Sequence, residues 1–133
     1  MRTALWLLPS EQLTSLPDSA ARLGIHLLDA RQPLLDSIAS DQRFLRLTVR
    51  DFIESLDTLC KTPQASDCLL VANCDLILAR LNFRERREAW TTLHRGYPHR
   101  SRSLLIVMPN SADMLLPSEQ ELMYWRQEGR LVP

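Results

Sequence analysis

The chain has 133 residues, 45% of them apolar, and no net formal charge at neutral pH. That length supports one compact domain over 1–133 and excludes two, and the apolar share excludes a disordered chain. Electroneutrality removes any global attraction for nucleic acid or an anionic membrane.

In chain order, Thr3 to Leu8 (TALWLL) is an apolar run closed by Pro9, the pattern of a buried strand. Residues 15–23 (SLPDSAARL) predict a helix, with Ser15 as its cap, Pro17 in its first turn and Gly24 as its stop. IHLLDA, 25–30, reads as a second strand and RQPLLDSIAS, 31–40, as a short helix or turn. RFLRLT, 43–48, alternates enough to predict a third strand. Thr48 then caps a helix whose apolar positions are Val49, Phe52, Ile53, Leu56, Leu59 and Cys60, with Asp51 in the first turn. Thr62-Pro63 ends it.

CLLVA, 68–72, is a buried strand. Asn82-Phe83-Arg84-Glu85 has capping-box spacing and opens a helix over 83–95, stopped at Gly96, with Phe83, Trp90 and Leu93 on one face. SLLIVMP, 103–109, is the clearest strand. Ser118 to Glu121 is a second capping box, for a helix ending near Gly129. RLVP is an edge strand or a loose end. Unbroken apolar strands with helices between them predict a three-layer α/β sandwich: a mostly parallel sheet of about five strands with helices on both faces.

Ligands of such sheets sit at the carboxyl ends of the strands. A phosphate loop after the first strand would read GxxxxGK[ST], with glycines that let backbone amides wrap the phosphates. LLPSEQLTSLP has no Gly and no Lys. The single lysine, Lys61, ends a helix, and no Gly lies between Gly24 and Gly96. The dinucleotide pattern GxGxxG is excluded on the same ground. Leu69, Leu70 and Val71 lead into Ala72 and Asn73, where a magnesium-binding strand would carry its acid. Asp75 is displaced from that place and reads as a helix cap, and Asn110 in PNSAD as a turn former rather than a phosphate sensor. Asn73, Asp75 and Asn110 are the positions of a degenerate nucleotide site.

LLVANCDLILARL, the basic helix and YPHRSRSLLIVMPNSADMLLP together resemble the second half of an AAA-type or related P-loop ATPase core, over residues 66–117. The small accessory proteins of bacterial BREX-type phage-defence operons are similar in size and style, some with degenerate ATPase-like folds. The resemblance implies a scaffold or regulator that works with a larger ATPase or DNA-modifying partner. Hydrolysis does not carry over, because the Gly, Lys and Ser/Thr of the phosphate loop have no counterpart.

Other chemistry finds no motif. There is no G-x-S-x-G elbow. His26 falls within a strand pattern and reads as a core or sheet residue. His94 and His99 flank Gly96-Tyr97-Pro98 without an evident acid partner, a poor metal set. The three cysteines, Cys60, Cys68 and Cys74, are an odd number without CxxC spacing; each sits in or beside an apolar run and reads as a reduced thiol acting as a small hydrophobe, which suits a cytoplasmic protein. No stretch approaches the ~18–20 apolar residues of a membrane span. No cofactor and no metal are expected.

Charge concentrates over 80–102, where seven Arg stand against Glu85 and Glu88, a local balance of +5. Arg84, Arg87, Arg95, Arg100 and Arg102 are candidates for phosphate or partner contact. The competing readings are a solvated face with pairs such as Arg84–Glu88, and docking on another copy or partner. Tyr124 and Trp125, beside Leu122 and Met123, cannot all point inward from one helix and are candidate interface anchors. The expectation is a non-catalytic cytoplasmic accessory protein acting through protein contacts in a defence complex, or as a homo-oligomer. The alternatives are a nucleic-acid-binding subunit that uses the same Arg cluster, or an enzyme with a polar pocket near Asp29, Asp75 and Asn110.

Overall fold

The structure, a computed structural model, describes residues 3–37, 47–61, 67–96 and 102–132. Among the described residues five parallel strands form one sheet: β1 (Thr3–Leu8), β2 (His26–Asp29), β3 (Cys68–Ala72), β4 (Ser103–Pro109) and β5 (Leu131–Val132), in the spatial order β2-β3-β4-β1-β5. Between them lie α1 (Ser10–Leu13), α2 (Leu16–Leu23), α3 (Gln32–Ser37), α4 (Val49–Cys60), α5 (Cys74–Leu78), α6 (Phe83–Thr91) and α7 (Glu119–Gln127). The helix expected over 83–95 is thus α6 followed by a wider π-helical turn, Thr92–Gly96.

The strand order decides which face each helix covers. The chain leaves β1 toward one edge of the sheet and returns through β3 and β4 to the other, so crossovers of one hand put their helices on opposite faces. Side chains alternate accordingly. Leu5, Leu69, Val71, Leu104, Ile106 and Met108 point into a large core with α4 to α7. Leu8, Leu70 and Val107 point the other way, against Leu16 and Ala20 of α2. Burial of each Leu in this scheme contributes about 2 kcal/mol before entropy is counted. Among the described residues the sandwich is lopsided, with α3 to α7 on one face and the short α1–α2 pair on the other.

Local signals act as the sequence requires at most element ends. Thr48 accepts from Asp51 N–H while Asp51 accepts from Thr48 N–H, a full capping box. Asn82 and Glu85 form the same reciprocal pair at α6. Gly24, at φ 66°, and Gly129, at φ 69°, end α2 and α7 in the left-handed region. Ser118 receives Glu121 N–H.

Several expectations fail. Ser15 does not cap α2; its hydroxyl donates to the Gln12 carbonyl instead. For His26 the core reading fails and the sheet reading holds: it lies on the edge strand β2 with its side chain exposed. Phe83 is 66% exposed. The strand expected at 43–48 falls mainly outside the described residues, and Leu47-Thr48 lead into α4 without strand structure. The edge-strand reading of RLVP holds: Leu131–Val132 pairs with Leu5 and Trp6 as the fifth strand among the described residues.

Candidate functional site

The crevice of this topology lies between β1 and β4, whose onward connections run to opposite faces. It is bridged. The hydroxyls of Ser10 and Ser111 stand 3.1 Å apart, and Asn110 N–H donates to the Leu8 carbonyl at 2.8 Å. The backbone passes from Pro9 directly into α1 and leaves no open loop there.

At the neighbouring strand ends, Asp29 lies opposite Ala72. Asn73 follows at φ 67°, a left-handed conformation that Asn tolerates better than most residues. Its Nδ2 donates to Asp29 Oδ2 at 3.0 Å. Arg31 grips the same carboxylate through Nε at 3.1 Å, Nη2 at 2.8 Å and its backbone N–H at 2.9 Å. The Arg31 guanidinium holds Asp29 below the usual carboxylate range, against a smaller opposite push from burial. These donors occupy most of the acceptor capacity of a carboxylate, about four lone-pair sites. Asp29 is therefore committed to holding β2, β3 and Arg31 together, and is not open to a metal or a substrate proton.

Asn73, not Asp75, takes the N-cap position of α5, without a side-chain cap bond. Asp75 sits in the first turn, where the helix dipole favours its charge. It is half-buried and lines a cavity of about 90 Å³ with Leu13, Leu16, Val107 and Pro109. That is room for roughly three waters. Cys74 beside it is fully buried, and that burial pushes its thiol up and out of the reactive range. Asn110 belongs to a different concavity. The three positions of the degenerate nucleotide site thus do not converge on one pocket: Asn73 and Asp75 share the small cavity, and Asn110 lines the groove described next.

That groove, about 980 Å³, runs between α6 and the segment 110–122. Trp90 and Leu7 lie along its floor, and Trp90 Nε1 donates to the Leu115 carbonyl at 2.8 Å, tying one side to the other. Phe83 and Met114, 66% and 79% exposed, form its lips. Arg87 projects on the α6 side with its guanidinium carbon 5.8 Å from the Phe83 ring centroid. Asp113, Glu119 and Glu121 stand on the other side. Among the described residues none of these four charged groups forms an ion pair. One wall is basic, the other acidic, and the floor is apolar.

The Arg candidates divide. Arg84, Arg87 and Arg95 are exposed, and the pair Arg84–Glu88 is not formed. Arg102 is half-buried where the chain enters β4, and Arg100 lies outside the described residues, as do Tyr97 and His99. Trp125 is not an exposed anchor: it is 1% exposed and packs edge-on against Trp90, with centroids 6.3 Å apart. Tyr124 is 40% exposed and stacks on His94.

One constellation had no signal in the sequence. Arg130, buried between Gly129 and Leu131, donates to the carbonyls of Thr3 at 2.7 Å, His94 at 3.1 Å and Leu93 at 3.2 Å, and to Glu128 at 2.8 Å. Glu128 also meets His94 Nε2 at 3.1 Å, so His94 does have an acid partner. Arg130 and then His94 hold the Glu128 carboxyl below its usual range. Arg130 thereby satisfies carbonyls of the π turn and fastens it to β1 and β5. Its role is structural.

Among the described residues no group of three or more His, Cys, Asp or Glu side chains is placed to hold a metal, and no helix is long and apolar enough to cross a membrane. Compared with known proteins, the chain matches no family model, no curated protein and no solved structure.

Proposed function

We propose that the chain is a non-catalytic accessory protein that acts through protein–protein contacts at the α6–α7 groove. The observation that carries this reading is the pair of opposed charged walls over an apolar floor, with Phe83 and Met114 turned outward at the lips. A polypeptide supplies both charge signs and apolar side chains at once. A nucleic-acid backbone drawn to Arg87 would meet Asp113, Glu119 and Glu121 across the groove, which opposes the DNA-binding alternative. The bridged β1–β4 crevice and the fully engaged Asp29 argue against nucleotide chemistry. The resemblance to a degenerate ATPase core adds the setting: a cytoplasmic scaffold beside a larger ATPase or DNA-modifying subunit, as in a bacterial phage-defence complex.

The test uses a photo-crosslinking residue at Phe83, with ATP–magnesium turnover and duplex-DNA binding at two salt concentrations measured in parallel. A protein adduct that disappears with Arg87→Glu, with no turnover and no DNA complex, supports the reading. Turnover that is lost on changing Asp75, or a DNA complex that dissolves as salt rises, overturns it.

A further inference from the structure

We infer that the groove is a self-association site, covered by a second copy of this chain related by a two-fold axis along the groove. The inference rests on the groove being a protein-contact surface and names the partner.

The argument is one of self-complementarity. An isologous interface must match its own image, so each feature needs its complement on the same patch. Here Arg87 stands on the α6 wall, with the exposed Arg84 on its shoulder, and Asp113, Glu119 and Glu121 stand on the opposite wall. A two-fold axis that runs along the mouth of the groove, between the two copies, exchanges the walls. The basic wall of each copy then faces the acidic wall of the other, and the contact is made twice. None of these charges is paired within the chain among the described residues, so each is available. The same rotation sets the exposed Phe83 of one copy against the exposed Met114 of the other, lip to lip and twice. A strongly acidic or strongly basic partner would satisfy one wall and be repelled by the second. The chain's zero net charge leaves no long-range repulsion between copies.

Sedimentation of the full chain over a concentration series tests this, with two charge-reversed variants. Arg84→Glu/Arg87→Glu makes both walls acidic, and Asp113→Arg/Glu119→Arg makes both basic. The wild type should dimerise, and each variant alone should associate roughly 100-fold more weakly. Their equimolar mixture should recover the dimer, because the two-fold contact then joins acidic walls to basic ones. Phe83→Ser should weaken the wild-type dimer without changing its circular dichroism. A wild type that stays monomeric at every concentration overturns the inference. So does a dimer that ignores the variants, or a mixture that stays monomeric. ATP turnover or salt-sensitive DNA binding instead sinks the underlying reading, so a monomer that shows neither removes the dimer alone.

Discussion

Arg130 lies over the face of Trp125, its guanidinium carbon 4.4 Å from the ring centroid. Trp125 in turn meets Trp90 edge-on at an interplanar angle of 89°. This stack runs from the floor of the groove to the edge of the sheet, so the groove's rigidity depends on a buried cation remote from it.

Arg130→Ala should cost about 2–5 kcal/mol, chiefly because buried carbonyls lose their donor; Glu128 is exposed enough to be solvated. It strands three carbonyls and uncovers Trp125. Arg130→Lys should recover less than half, because a point charge cannot reach Thr3, Leu93 and His94 with fork geometry. Urea denaturation read by Trp fluorescence measures both.

Acid should unfold the protein through two carboxylates. The folded-state values of Asp29 and Glu128 lie below their ordinary ones, chiefly through Arg31 and Arg130. Groups depressed on folding contribute stability above their unfolded values of about 4, and lose it as pH falls through the folded ones. Asp29→Asn and Glu128→Gln should each lower stability at neutral pH and flatten its decline between roughly pH 5 and 2. Thermal melts across that range are the measurement.

Asn73 should show opposite sensitivities at backbone and side chain. Asn73→Ala keeps the left-handed φ at a steric cost of about 1 kcal/mol and loses the Asp29 bond, worth about another 1 kcal/mol. Asn73→Gly loses only the bond. The alanine variant should therefore be the less stable of the two in the same denaturation assay.

Substitutions at the groove should separate binding from stability. Phe83→Ser and Met114→Ser change exposed positions and should move stability by under about 0.5 kcal/mol. Trp90→Phe, which removes the bond to Leu115 and leaves a carbonyl without its donor, should cost about 1–3 kcal/mol. Differential scanning calorimetry distinguishes the two classes.

The sheet was legible in the sequence because its strands are apolar runs bounded by Pro and polar clusters, as at Thr3–Leu8, Cys68–Ala72 and Ser103–Pro109. Thr48 and Asn82 were legible as caps because capping chemistry is local. Phe83 was misplaced for a simple reason. It shares a helical face with Trp90, seven positions on, and both line the groove; but α6 overshoots the core, so that face is covered at Trp90 and open at Phe83. Periodicity gives direction and not depth. Two features carried little pattern or none. Leu131–Val132 is too short to show a period, and Arg130 finds carbonyl partners far away in sequence, at Leu93, His94 and Thr3. The groove likewise needs α6 and 110–122 brought side by side, which only the fold supplies.

The interior place of β1, flanked on both sides, has a consequence for synthesis. Its two hydrogen-bonding neighbours are β4 and β5, with Thr3 beside Leu104 and Leu5 beside Leu131. On the ribosome the TALWLL segment therefore emerges long before either neighbour exists, with both flanks unsatisfied. During that interval it is an adhesive ribbon in a crowded cell, and closure of the sheet is one late, long-range event.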